Sequence, residues 1–136
     1  MEQPDHLLGL RHQPAPLPLH ARNHEYYSED AVLTSGQAVD FISGGKEYGV
    51  IIAPKHLAFN DTEINRTGVS VFMTEQQARE NELRGTQAAI EDAGALGVMT
   101  AFNRVGITAA NAHTGLLKNI LRASGASRVW RARTSS

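Results

Sequence analysis

Apolar residues along this chain recur at helical spacing, then bunch into a short continuous run, and the alternation repeats. Val32, Leu33, Ala38, Val39, Phe41 and Ile42 follow Ser28, Glu29 and Asp30, which predicts a helix opened by an N-cap and closed near Gly44, Gly45 and Gly49. Val50–Ala53 is apolar along its whole length and reads as a strand buried on both faces. Thr74, followed three residues later by Gln77, is a capping-box pattern, and it opens a helix whose apolar side includes Ala78, Leu83, Ile90 and Ala93 before Gly94 ends it. Leu96–Phe102 is a second buried run, and Leu116, Leu117, Ile120 and Leu121 carry a third helix over Ala112–Leu121. Helix, strand, helix, strand, helix in that order means parallel strands joined by right-handed crossovers.

Flanking this organised segment, residues 1–21 and 123–136 show neither periodicity and are expected to be irregular tails around a domain spanning 22–122. The first tail holds four of the five prolines, Pro4, Pro14, Pro16 and Pro18. A chain of 136 residues, 41% hydrophobic, with a net charge of −1, suits one ordinary domain and carries no charge excess that would point to nucleic acid. It has no apolar run of bilayer length, and Met1–Leu10 lacks the basic and apolar regions of a secretory signal, so the expected compartment leans to the cytoplasm. With no cysteine there are no disulfides or thiolate metal sites. His20 and His24 are four apart but lack a helix to bring them to one face, so no metal is expected. Gly45-Lys46 is not a phosphate loop, because Asp40 and Glu47 stand where the loop needs a glycine and a hydroxyl. No cofactor is expected.

Polar chemistry is concentrated where the two apolar runs stop. Lys55, His56, Asn60, Asp61, Glu63, Asn65 and Arg66 follow the first, and Asn103, Arg104 and the flexible Gly106 follow the second. The C-terminal ends of strands are where α/β proteins put ligands. No glycine-rich dinucleotide turn follows either strand, and two successive strands with polar ends suit a (β/α)8 barrel better than an open sheet.

Three segments carry a family likeness. Lys55 to Arg66, Lys-His-Leu-Ala-Phe-Asn-Asp-Thr-Glu-Ile-Asn-Arg, resembles the Lys-His-Phe-(Ala/Val)-x-Asn-x-x-Glu-x-Asn-Arg signature of family 3 glycoside hydrolases, the β-glucosidase family. Arg22 to Asp30 is similar to the family's Arg-Asn-x-Glu-x-Tyr-Ser-Glu-Asp, and Gly97 to Asn103 to its Gly-Val-Met-x-Ser-(Phe/Tyr)-Asn strand. The resemblance implies an α/β fold, a fragment of a (β/α)8 TIM-type barrel with two to three β/α units, where a whole barrel takes about 250 residues. It implies hydrolysis of O-glycosyl bonds in β-glucosides or oligosaccharides, with the rest of the barrel and a C-terminal domain as further partners. Arg22, Lys55 and His56 would donate to the hydroxyls of the non-reducing sugar, Phe102 would line the pocket or simply be core, and Arg66 and Asn103 would support the loops. Glu25, Asp61 and Glu63 have the chemistry of acid or base, but the family pattern gives them no such role.

After Arg122 the likeness breaks. The family continues Gly-Glu-Trp-Gly-Phe-x-Gly into a strand that ends in the nucleophilic aspartate, whereas this chain reads Arg-Ala-Ser-Gly-Ala-Ser-Arg-Val-Trp from Arg122 to Trp130. Codons for these residues exist that, read from the third base, spell the family's sequence, so a frameshifted nucleophile segment is the hypothesis. A similar shift at His12–Leu17 permits the family's preceding strand, with less constraint from the code. On this reading the chain is an inactive piece of a retaining glycosidase with no assignable nucleophile or acid. The alternatives are an enzyme completed by other chains and a small non-catalytic α/β carbohydrate-binding module. With only two strands supplied from within, poor folding and exposed sheet edges are expected.

Overall fold

The computed structural model describes residues 6–11, 22–122 and 130–132. Strand β1 (His6–Arg11) is followed by the 3-10 turn Asn23–Glu25, helix α1 (Ala31–Glu47) and strand β2 (Ile51–Leu57). After β3 (Ser70–Val71) come the short α2 (Glu75–Gln77), a π-helical turn over Ala78–Glu82 and α3 (Arg84–Glu91). The chain then forms β4 (Gly97–Thr100), the hairpin of β5 (Arg104–Val105) and β6 (Thr108–Ala109), a π-helix over Gly115–Ile120 and β7 (Trp130–Ala132).

The main sheet has the order β1-β2-β4-β7, all parallel. Neighbours in space are thus successive in the chain, with helices between them, the strand order of a closing barrel rather than of an open sheet that reverses at a switch point. Three consecutive β/α units are present, and the fold is a segment of an α/β barrel. This corrects two expectations. His6–Arg11 and Trp130–Ala132 are strands, not irregular tail, and the sheet has four strands rather than two. The rest of 1–21 and 123–136, including His20 and most of the stretch read as out of frame, lies outside the described residues.

Asp30 is the N-cap of α1, its side chain accepting from the Leu33 amide at 2.7 Å, while Ser28 Oγ accepts from the Asp30 amide. The helix buries Thr34, Ala38 and Ile42, spaced four apart, and leaves Val32, Leu33 and Phe41 outside. It does not stop at Gly44 or Gly45; it closes at Tyr48, followed by Gly49 at φ +75°. Gly45 is needed for closeness instead, because a Cβ there would lie 2.3 Å from Ile52 Cδ1 on β2. Thr74 caps α2 by accepting from the Gln77 amide at 3.2 Å. The predicted third helix begins as a 3-10 turn at Ala110–Ala112 and becomes helical only from Thr114. Two apolar clusters back the sheet, one around Leu57, Val98, Leu83 and Leu116, the other around Ile42, Ile52 and Ala89.

Candidate functional site

Strand β2 runs farther than its apolar run. Pro54, Lys55, His56 and Leu57 belong to it, so Lys55 and His56 stand at the C-terminal end of the strand, as expected from the sequence. Alternation along the strand leaves Lys55 half-buried while His56 is 1% exposed. The next residues turn sharply. Phe59 has φ +65°, a conformation that costs a non-glycine residue about 1–3 kcal/mol and is held by its surroundings. Asn60, 1% exposed, fastens the turn: its backbone carbonyl accepts from Tyr26 Oη at 3.1 Å, and its Nδ2 donates to Glu63 Oε1 at 2.9 Å.

The same turn is tied to β4. The Ala101 amide donates to the Leu57 carbonyl at 2.8 Å, and Asn103 Nδ2, 2% exposed as a residue, donates to the Ala58 carbonyl at 3.2 Å. The ends of β2 and β4 are therefore one hydrogen-bonded unit. Phe102 is half-buried rather than core, with the Arg66 guanidinium 4.2 Å from its ring centre and the His56 ring 6.2 Å away.

Charges link these pieces. Glu25 accepts from Arg22 Nε and pairs with Lys55 Nζ at 3.1 Å. Glu63 takes Arg66 at 2.8 Å and Arg22 at 3.8 Å. The result is a continuous chain from Lys55 through Glu25, Arg22, Glu63 and Arg66 to Phe102, with His56 beside that ring. Burial alone pushes the Glu25 carboxyl up, but hydrogen bonds and charge from Lys55 and Arg22 hold it below its ordinary 4.5. Glu25 is thus an ionised acceptor between two cationic donors, an arrangement able to grip a polyol by donation and acceptance together.

Arg22, Lys55, His56, Phe102, Arg66 and Asn103 are all brought to this end of the sheet. Three residues of the site were not anticipated in these positions. Tyr26 fixes the turn, Glu25 joins the donors, and Glu82 is a 9% exposed acid in the π-helical turn. Burial, and then the charge of Asp61, push the Glu82 carboxyl up to about 8, and burial raises Asp61 as well. The spacing carried a signal for Glu82, four residues after inward-facing Ala78. Phe59 also lines an apolar cavity of about 490 Å³ with Phe72, Met73, Leu83 and Leu116, but none of the six predicted site residues does. Among the described residues no group of three or more His, Cys, Asp or Glu could hold a metal, and His24 is exposed.

Comparison with known proteins gives the family. The model of the glycosyl hydrolase family 3 N-terminal domain matches residues 15–125. Probable β-glucosidase J of Emericella nidulans is 39% identical over 105 residues, covering 77% of this chain and 12% of that protein. A β-glucosidase of Rhizobium radiobacter is 36% identical over 104 residues, covering 76% of this chain and 13% of that protein. Among solved structures, β-glucosidase 3B from Thermotoga neapolitana in complex with α-D-glucose superposes with a TM-score of 0.89 at 34% identity, over 93% of this chain and 18% of that one. The chain therefore spans about 12% of the length of such relatives.

Proposed function

The chain belongs to the glycosyl hydrolase family 3 N-terminal domain family, and from that premise we propose that it is a piece of a retaining β-glucosidase that keeps part of the sugar-holding shell without the nucleophile. Arg22 and Lys55 donate to hydroxyls of a β-glucoside or oligosaccharide, His56 and Phe102 shape the pocket beside them, and Arg66 and Asn103 hold the two loops. The observation that carries this reading is the continuous charge chain from Lys55 through Glu25 to Arg22 at the C-terminal end of β2. Cationic donors of fixed geometry make stronger and more selective hydrogen bonds to hydroxyls than neutral ones.

A retaining mechanism needs a nucleophilic carboxylate and a carboxylic acid about 5 Å apart across the scissile bond. Glu25 and Glu63 are committed to cations, and the family pattern gives neither of them, nor Asp61, a catalytic part. The chain alone therefore binds sugar and does not cleave it. The shifted frame after Arg122 accounts for the missing aspartate, and the domain proper runs over 22–122. Purified chain titrated with glucose is expected to show amide shifts at Lys55, His56 and Phe102 and to release nothing from a chromogenic β-glucoside. Turnover above a mock preparation, or a titration that leaves those amides unmoved, overturns the reading. The DNA gives an independent check: a single-base shift should restore Gly-Glu-Trp-Gly-Phe and a strand ending in aspartate.

A small autonomous carbohydrate-binding module is the second reading, favoured by the four-stranded sheet that the chain assembles from its own residues. A sharp cooperative thermal transition of the monomer would select it over a dependent fragment.

A further inference from the structure

Arg22 and Lys55 come from different elements, one before the 3-10 turn and one on β2, and each is a long cationic side chain with many rotamers. Left to themselves they would repel one another and sample widely, and ordering such a side chain costs rotamer entropy. Here both converge on one carboxylate. Glu25 Oε1 takes the Arg22 guanidinium and Oε2 lies 3.1 Å from Lys55 Nζ, with Glu25 and Lys55 side chains only 15% and 16% exposed. In so sheltered a place a charge pair is screened far less than on the surface. The backbone reinforces the arrangement, since the Glu25 amide donates to the Arg22 carbonyl at 3.0 Å and closes the turn that carries both residues.

We infer that Glu25 is a positioning residue: it fixes Arg22 and Lys55 in the spacing that receives a sugar diol before the sugar arrives. The inference rests on the sugar-site reading above. Glu25 forms no bond with carbon and moves no proton; it removes the ordering cost of two donors from the binding step. Glu63 does not replace it, because Glu63 reaches Arg22 at only 3.8 Å and is held by Asn60 and Arg66.

The test uses the full chain with Glu25→Gln, which keeps the shape, and Glu25→Ala, which leaves room for a small carboxylate. The Lys55 ammonium signal in nitrogen-15 spectra, assigned with Lys55→Met, is read first. It is expected in the parent and broadened beyond detection by rapid proton exchange in Glu25→Gln, with the circular dichroism unchanged. Glucose affinity is expected to fall about tenfold or more in both variants. Added formate should restore it to Glu25→Ala, while chloride does not, and should leave Lys55→Met weak. An undiminished Lys55 signal in Glu25→Gln overturns the inference, as does parental glucose affinity in Glu25→Ala, or a loss that formate does not repair. If the parent chain binds no glucose, the sugar-site reading fails, and the Lys55 signal still decides whether Glu25 positions it.

Discussion

The two ends of the β2–β4 sheet each carry a lysine bridging separate elements, and the partners differ in kind. At the N-terminal end Lys46, on the last turn of α1, donates to the Ala93 carbonyl at 2.7 Å, just past α3. One neutral acceptor is satisfied and a helix is joined to the chain leading into β4, by a lysine that is itself exposed. At the C-terminal end Lys55 meets an ionised carboxylate shared with Arg22 and linked through Glu63 to Arg66. A lone neutral bond stabilises and does nothing more. A network of half-buried donors around charged acceptors can exchange some partners for those of a ligand, which is why barrel proteins keep chemistry at one end and stability at the other.

Replacing each lysine by methionine separates the two roles, with the largest effect at the top. In a version of the protein continued in the family's frame, Lys55→Met should lower glycosidase efficiency by about 2–4 kcal/mol if Lys55 donates to the sugar as proposed, since that hydroxyl and Glu25 would both lose a donor. Lys46→Met should leave efficiency unaltered and reduce stability by about 1 kcal/mol in a denaturant titration. Equal losses of efficiency in the two variants would erase the distinction between the ends.

A second contrast lies within the polar end. Glu25 has its carboxyl pulled below the ordinary 4.5, so the stability it contributes is present above that value and is lost as the pH falls through its folded value. Glu82 behaves in the opposite sense. With a folded value near 8 against 4.5 unfolded, its contribution is complete below 4.5 and lost as the pH rises through about 8. Burial raises Asp61 as well, so its contribution too is lost as the pH rises through its folded value. Denaturant midpoints measured across pH should therefore decline on both sides. Glu82→Gln should flatten the alkaline limb, worth on the order of 2–3 kcal/mol, and Glu25→Gln the acid limb. An alkaline limb as steep in Glu82→Gln as in the parent would show that another group carries it.

The sequence made one end more legible than the other. Lys55 and His56 stand out because an apolar run stops there, and Arg22 could be joined to them only through a family motif, since thirty-odd residues and a whole helix separate the positions. Glu82 shares the inward face of Ala78, four residues before it, but a charged residue at that spacing reads as solvent-facing from its chemistry alone. His6–Arg11 and Trp130–Ala132 were read as tail because strands of six and three residues give little periodicity to count, and their pairing depends on neighbours distant in the chain. At the packing end the glycines differ among themselves: Gly49 follows the close of α1 at φ +75°, whereas Gly44 and Gly45 lie inside the helix. A glycine required by close contact and one required by φ are the same letter.

That ambiguity yields the smallest effect and the sharpest test of the packing end. Gly36 and Gly45 both lie inside α1, where glycine costs about 0.5–1 kcal/mol relative to alanine through backbone entropy. At Gly36 a Cβ would meet nothing within 4 Å, so Gly36→Ala should return that amount as added stability. At Gly45 the same methyl group would come within 2.3 Å of Ile52 Cδ1 and 3.1 Å of its Cγ1. Ile52 is 4% exposed and packed against Ala89, Ala93 and Ala95, so it has little room to retreat, and α1 must be pushed away from β2. Overpacking of this kind costs about 1–3 kcal/mol, more than the entropy gained, so Gly45→Ala should be destabilising overall. The two substitutions are chemically identical and share a helix, which makes the difference in their denaturation midpoints a direct reading of the α1–β2 contact. Stabilisation by Gly45→Ala would mean that the contact is loose and that the helix, not the packing, had called for glycine.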